Sequence, residues 1–182
     1  MVPRVRLAVP VCAVLALSAC EGFHASPDAR DSPHVAAAIE ETPPTVEDAA
    51  AATYWGGQAR QITLTDGRFT GPKGERVELL RQHYVVGDLE GDGAVDAVVA
   101  LSVTNAGQED GQYLAVLRHL GTDTISLGTT FLGPDATVRA IRVEGRRVVV
   151  DLTRATSTGV SESRQEVYEL GRGELVRSTP GS

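Results

Sequence analysis

The chain has 182 residues, with 17 basic against 24 acidic side chains and a formal net charge of −7. An acidic balance of this size argues against nucleic acid or anionic lipid as a partner. About 130 of these residues read as folded domain, enough for one β core and not for two.

Arg4 and Arg6 form a short positive stretch, followed by an apolar run from Leu7 to Leu17 interrupted by Pro10. This is the order of a secretory leader, and the run is shorter than the roughly 20 apolar residues that a helix needs to span a bilayer. The next residues, Leu17-Ser18-Ala19-Cys20, resemble the lipobox of bacterial lipoproteins. That resemblance implies cleavage before Cys20, diacylglycerol on its thiol and a membrane as the first partner. Two acyl chains anchor lastingly where one binds reversibly, at about 0.8 kcal/mol per buried methylene. The plain alternative is an ordinary cleaved leader followed by an incidental cysteine. Cysteine usage favours the lipobox, because Cys12 would leave with residues 1–19 and Cys20 would remain alone, unable to form an internal disulfide. The residue after the cysteine is Glu21 rather than Asp. By the same resemblance, this places the protein at the outer membrane, facing the periplasm, in a cell that has one. Loss of the leader removes two arginines and no acid, leaving 15 basic against 24 acidic residues, a net of −9.

Residues 20–44 read as a flexible, disordered tether, with Pro27, Pro33, Pro43 and Pro44 and no sustained apolar period. His24 and His34 lie within it without Cys or carboxylate partners at ligand spacing. Thr45 is a helix N-cap, followed by Glu47 and Asp48 in the first turn and the alanines 49–52. The short helix ends before Tyr54-Trp55-Gly56-Gly57, and its two aromatics are expected to seal an end of the core.

From Arg60 the apolar period is two. Ile62 and Leu64 alternate with Gln61, Thr63 and Thr65, and Asp66-Gly67 predicts a hairpin into Arg68-Phe69-Thr70. Gly71-Pro72-Lys73-Gly74 makes the next turn, before a strand with Val77 and Leu79 and another at Tyr84 to Val86. Ala97, Val99, Leu101 and Val103 share one face of a longer strand, and Val98 and Ala100 make its other face apolar, which predicts a central position. Further strands are expected at 112–119, 124–132, 137–143, 147–153, 164–170 and 174–177. They are separated by Asn105-Ala106-Gly107, Asp110-Gly111, Gly133-Pro134-Asp135, Glu144-Gly145 and Gly171-Arg172-Gly173. Many short strands with tight connections predict a mostly β fold: a single small antiparallel β-sandwich or partly open barrel over residues 45–178, ahead of a disordered tail at 179–182.

The segment with chemical character is Gly87-Asp88-Leu89-Glu90-Gly91-Asp92-Gly93-Ala94-Val95-Asp96. Side-chain oxygens of Asp88, Glu90, Asp92 and Asp96 fall at loop positions 1, 3, 5 and 9, with Gly93 at 6 and the Ala94 carbonyl available at 7. This is the first part of a calcium loop, in which a hard cation neutralises acids that otherwise repel one another. Position 12 is Val99 and a strand follows, which excludes an EF-hand. The pattern resembles the Asp-rich loops of FG-GAP and VCBS-type β repeats, although Glu90 is longer than the Asp or Asn usual at position 3. The competing reading is an acidic turn whose carboxylates cap backbone amides.

The order of Ala52-Thr53-Tyr54, Ile62 to Gly67, Val86 to Gly93, Asp96 to Val99, Tyr113 to Leu117, Phe131-Leu132-Gly133 and Val148 to Asp151 resembles a family of uncharacterised bacterial lipoproteins. The resemblance implies a small exported β domain and carries no catalytic residues with it. The chain also lacks a Gly-x-Ser-x-Gly elbow, a His-Glu-x-x-His pair and a phosphate-cradling glycine loop. His83 and His119 each lie on an expected strand, with Ser102 and Ser161 as conceivable nucleophiles. Two function classes follow. One is a non-catalytic lipid-anchored envelope protein that binds a partner protein, the cell wall or a small ligand, with calcium at the loop as its one candidate cofactor. The other is an envelope hydrolase built on the acidic loop.

Overall fold

The computed structural model describes residues 42–56, 60–104, 110–156 and 159–178. The expected leader, Cys20, most of the tether, Gly57, the expected turn at Asn105-Ala106-Gly107 and the 179–182 tail lie outside the described residues.

The described chain starts with helix α1 (Val46–Ala51). Thr45 caps it as expected: its hydroxyl accepts from the Asp48 amide, and the Asp48 carboxylate accepts from the Thr45 amide at 2.8 Å. This reciprocal pair satisfies two donors that a helix start otherwise leaves open. The helix buries Ala49 and Ala50, and the Ala49 carbonyl accepts from the buried Tyr54 hydroxyl at 2.8 Å.

Eleven strands follow: β1 (Thr53–Gly56), β2 (Arg60–Thr63), β3 (Arg68–Thr70), β4 (Arg76–Gly87), β5 (Asp96–Thr104), β6 (Gly111–Leu120), β7 (Asp123–Phe131), β8 (Ala136–Glu144), β9 (Arg147–Ala155), β10 (Ser161–Gly171) and β11 (Glu174–Ser178). They form a seven-stranded sheet in the order β2-β1-β7-β6-β5-β4-β3 and a four-stranded sheet in the order β11-β10-β9-β8. The pairs are antiparallel except for a short parallel contact of β1 with β7 at Thr53 and Ile125. The mostly β expectation holds, with both of its forms present. The larger sheet curls into a nearly closed barrel, and one of its faces also packs on the smaller sheet as a sandwich.

The Asp66-Gly67 turn shows how the curl is closed. Both residues take positive φ, 52° and 78°, as a tight reversal requires. The predicted hairpin does not extend from it, because pairing stops after a single bridge between Thr65 and Arg68. β2 then joins β1 and β3 joins β4, at opposite ends of the seven-stranded order. The turn therefore links the two edges of the sheet instead of nucleating a two-stranded ribbon.

β5 is buried on both faces, as its sequence predicts. Ala97, Val99, Leu101 and Val103 face the barrel interior with Tyr54, Ile62, Leu64, Val77, Leu79 and Leu117. Val98 and Ala100 face the sandwich interior with Leu114, Val116, Val138, Val148, Val150 and Leu152. Burying one such side chain contributes about 1.5–3 kcal/mol, so this strand carries apolar burial for two cores at once, where the length predicts one, because the larger sheet has an interior on each of its faces.

Two further expectations need correction. The strands expected around Val77 and at Tyr84 to Val86 are one strand, β4, with an irregularity between Leu79 and Tyr84. Five steps of β4 oppose two of β5, from Leu101 to Val99. The odd surplus shifts the alternation, so Val77, Leu79 and Tyr84 all face the barrel while Leu80 and Val85 face the sandwich. The aromatic pair also divides: Tyr54 is buried, whereas Trp55 is 41% exposed because neighbours on a strand point to opposite faces.

The sheets meet closely at Gly128 on β7. A Cβ there would lie 2.4 Å from the Gly173 carbonyl oxygen, a backbone atom that cannot rotate away. Gly128→Ala is expected to lower stability by about 1–3 kcal/mol, the usual range for overpacking, measured by urea unfolding. Thr45→Ala is expected to cost about 1 kcal/mol at neutral pH, a typical cap value. Hydrogen bonds from Thr45, side chain then backbone, hold the Asp48 carboxyl below its ordinary value of 3.8 against partial desolvation, with a smaller contribution from His119. The Asp48 carboxylate's part of the cap is complete above the unfolded carboxylate pKa and is lost as pH falls through the lowered folded value, whereas the bond from the Asp48 amide to the Thr45 hydroxyl does not titrate. The Thr45→Ala deficit should therefore shrink below about pH 4, near the reference Asp pKa.

Candidate functional site

The acidic loop joins β4 to β5 and sits at one end of the sandwich. Leu89 anchors it, with 2% exposure and contacts in the core between the sheets. Around this plug the chain turns tightly, with Gly91 and Gly93 at φ 77° and 88°, values that a side chain would oppose. Asp88 organises the turn: Oδ1 accepts from the Gly91 amide at 2.5 Å and Oδ2 from the Gly93 amide at 3.0 Å. Desolvation pushes the Asp88 carboxyl up, but the amides of Gly93, Gly91 and Asp92 and the charge of Arg146 outweigh it, leaving it below the ordinary value. Asp92 Oδ1 accepts from the Ala94 amide at 3.0 Å.

Glu90 and Asp96 are drawn together by a side chain from another strand. Arg118 on β6 donates through Nε to Asp96 Oδ1 at 2.8 Å, and its Nη2 lies 2.7 Å from both Asp96 Oδ1 and Glu90 Oε2. Asp96 has no exposed surface, and burial pushes its carboxyl above the ordinary value despite the opposing hydrogen bond and charge of Arg118. A second arginine holds the loop from the opposite sheet. Arg146, in the β8–β9 turn, donates to the Leu89 carbonyl at 3.3 Å and packs against Gly91.

The five expected metal ligands therefore share one loop without converging on one point. The Asp88 and Asp92 oxygens accept from the loop's own amides, Glu90 and Asp96 bind Arg118, and Ala94 enters the network through its amide. Among the described residues, no group of three or more His, Cys, Asp or Glu side chains is arranged to hold a metal ion. As arranged, these residues do not fit calcium, which requires six to eight converging oxygens.

Neither arginine stands out in the sequence. The signal for Arg118 lies in two places at once: a charge ending the apolar run Tyr113 to Leu117, and an acid opening the apolar strand at Asp96. They lie one register step beyond the Ala97–Leu117 pair, so only the pairing reveals them as partners.

The histidines give no stronger site. His119 Nδ1 is 3.0 Å from Thr124 Oγ1, rather than beside Ser102 or Ser161, and Nε2 is 3.8 Å from Asp48 Oδ2. That carboxylate oxygen already accepts from the Thr45 amide and hydroxyl, and 3.8 Å is too long for a hydrogen bond. His83 is half-buried on β4, and desolvation lowers its pKa.

A further polar cluster, on the smaller sheet, is engaged internally. Arg154 and Arg177 each reach Glu166 Oε1 at 3.1 Å, and the Tyr168 hydroxyl donates to Glu166 Oε2 at 2.6 Å. Burial first and the neighbouring Glu166 second raise the Tyr168 pKa, keeping it a donor.

An open groove of about 590 Å³ runs beside Leu89 and is walled by Glu144, Arg146, Arg147 and Glu169, not by the loop carboxylates. The apolar space beneath Trp55, among Ile62, Val77 and Leu101, holds about 10 Å³, less than a bound organic molecule occupies. Leu89→Ala is expected to destabilise the protein by about 2–5 kcal/mol through the cavity it leaves between the sheets, read by chemical denaturation. A cost below about 1 kcal/mol would show that Leu89 does not anchor the loop.

Comparison of the chain with protein-family models, curated proteins and solved structures gives no match in any of the three.

Proposed function

We propose that this protein is a lipid-anchored component of the bacterial cell envelope whose β domain has a non-catalytic binding or structural role. The observation that carries the non-catalytic part is that the most chemically suggestive segment spends its acids on its own architecture. Asp88 and Asp92 hold backbone amides, and Glu90 and Asp96 hold Arg118. A hydrolase built on the loop needs a carboxylate free to move a proton or attack beside a substrate-sized concavity, whereas the neighbouring groove is walled by other residues.

The anchoring part rests on the leader and Cys20. Its support in the folded region is the join: the Tyr84 hydroxyl donates to the Pro44 carbonyl at 2.7 Å, fixing the chain to the barrel directly before the Thr45 cap. The 24 residues from Cys20 to Pro43 precede this fixed point, enough spacer to let a folded body stand away from a bilayer surface. Among the described residues no helix is long and apolar enough to cross a membrane, and in this reading the acyl chains provide the attachment.

Expression of the full chain in a bacterial host, with membrane fractionation and mass analysis of the N-terminal peptide, tests the anchor. The expected result is a membrane-bound protein with acyl mass on Cys20, and a Cys20→Ala variant that loses both. Equal membrane recovery of Cys20→Ala and wild type would contradict it. Crosslinking in intact envelopes then tests the binding role through recovery of one stoichiometric partner.

A further inference from the structure

The 88–96 loop has the acid spacing of a cation site, and a cationic side chain occupies the junction between two of those acids. We propose that Arg118 is the resident cation of this loop, so that the loop folds and holds its corner of the sandwich without calcium or another divalent ion.

Three observations carry this. The first is position: Arg118 Nη2 lies 2.7 Å from Glu90 Oε2 and 2.7 Å from Asp96 Oδ1, the acids at loop positions 3 and 9. A metal ion drawing those oxygens together would have to displace the guanidinium. The second is the orientation of the remaining acids. Both oxygens of Asp88 and one of Asp92 accept from amides of Gly91, Gly93 and Ala94, so the loop's own backbone uses the charge at positions 1 and 5.

The third is burial. Asp96 has no exposed surface, and neither its Oδ2 nor Arg118 Nη2 makes a hydrogen bond, so the Nε bond to Oδ1 and the close guanidinium charge are the main compensation for the buried carboxylate. A guanidinium suits this role because it stays charged throughout the accessible pH range, and its Nη2 lies at ion-pair distance from both acids. It is also tethered to β6, so its local concentration does not depend on the ion content of the surroundings.

The test is a thermal melt of the purified protein in millimolar calcium and in excess chelator. The wild type should melt within about 2 °C in the two buffers, whereas calcium held at a hundred times its dissociation constant would add stability worth several degrees. Arg118→Met should melt roughly 10 °C lower, as expected when one partner of a buried charged pair is removed. Adding Asp96→Asn to Arg118→Met should recover about half of that loss, since the stranded charge is then gone. A wild-type melting point that rises with calcium and falls with chelator would overturn the proposal, as would an Arg118→Met variant that melts like wild type. The wild-type comparison decides the matter even where Arg118→Met fails to fold.

Discussion

The structure depends on a strand that is apolar on both sides. β5 runs from the buried Asp96 through Leu101 without an exposed residue, and its alternating side chains enter the barrel interior on one face and the sandwich interior on the other. A strand of this kind has no face to give to water, so each side must be covered. Helix α1 and the curl of the larger sheet cover one side, and the smaller sheet covers the other. β4 accommodates the arrangement through its irregularity between Leu79 and Tyr84, which changes the side-chain alternation while pairing with β5 resumes at Tyr84 and Val99. The Asp66-Gly67 turn completes the curl by leading the chain from one end of the sheet to the other.

The acidic loop follows from the same constraint. It must bring the chain from the end of β4 to the start of β5 at a point where both sheets converge, and it does so with an apolar plug at Leu89 and an acid on either side. Charge at such a corner is costly unless paired. Arg118 supplies the pairing from the larger sheet, and Arg146 from the turn of the smaller one donates to the Leu89 carbonyl and adds its charge near Asp88, so polar contacts as well as packing connect the loop to both sheets. The smaller sheet uses the same device at Glu166, where two arginines and a tyrosine surround one buried acid.

Alternation of apolar residues is enough to place most strands, because Ile62, Leu64, Val77, Leu79 and the β5 series occupy the faces that a period of two assigns to them. The helix cap at Thr45 is equally legible, since its chemistry lies within four residues. β1 is not: four residues containing Tyr54 and Trp55 show no period, and the parallel contact with β7 depends on how the whole sheet curls. The site is half legible for the same reason. Acid spacing within the loop is local and readable, whereas the arginines that answer it stand 22 and 57 residues from the groups they bind and are brought there by register. A motif of acids without its cation resembles a metal loop, and the tertiary fold decides whether the cation is an ion or a side chain.

The amides of Gly91 and Gly93 report most directly on that choice, because they bond to the Asp88 carboxylate inside the loop. Hydrogen exchange at these two amides, followed in calcium and in chelator, measures whether the loop is formed by the protein alone. The account predicts protection that is equal in the two conditions. Protection that appears only with calcium would contradict it.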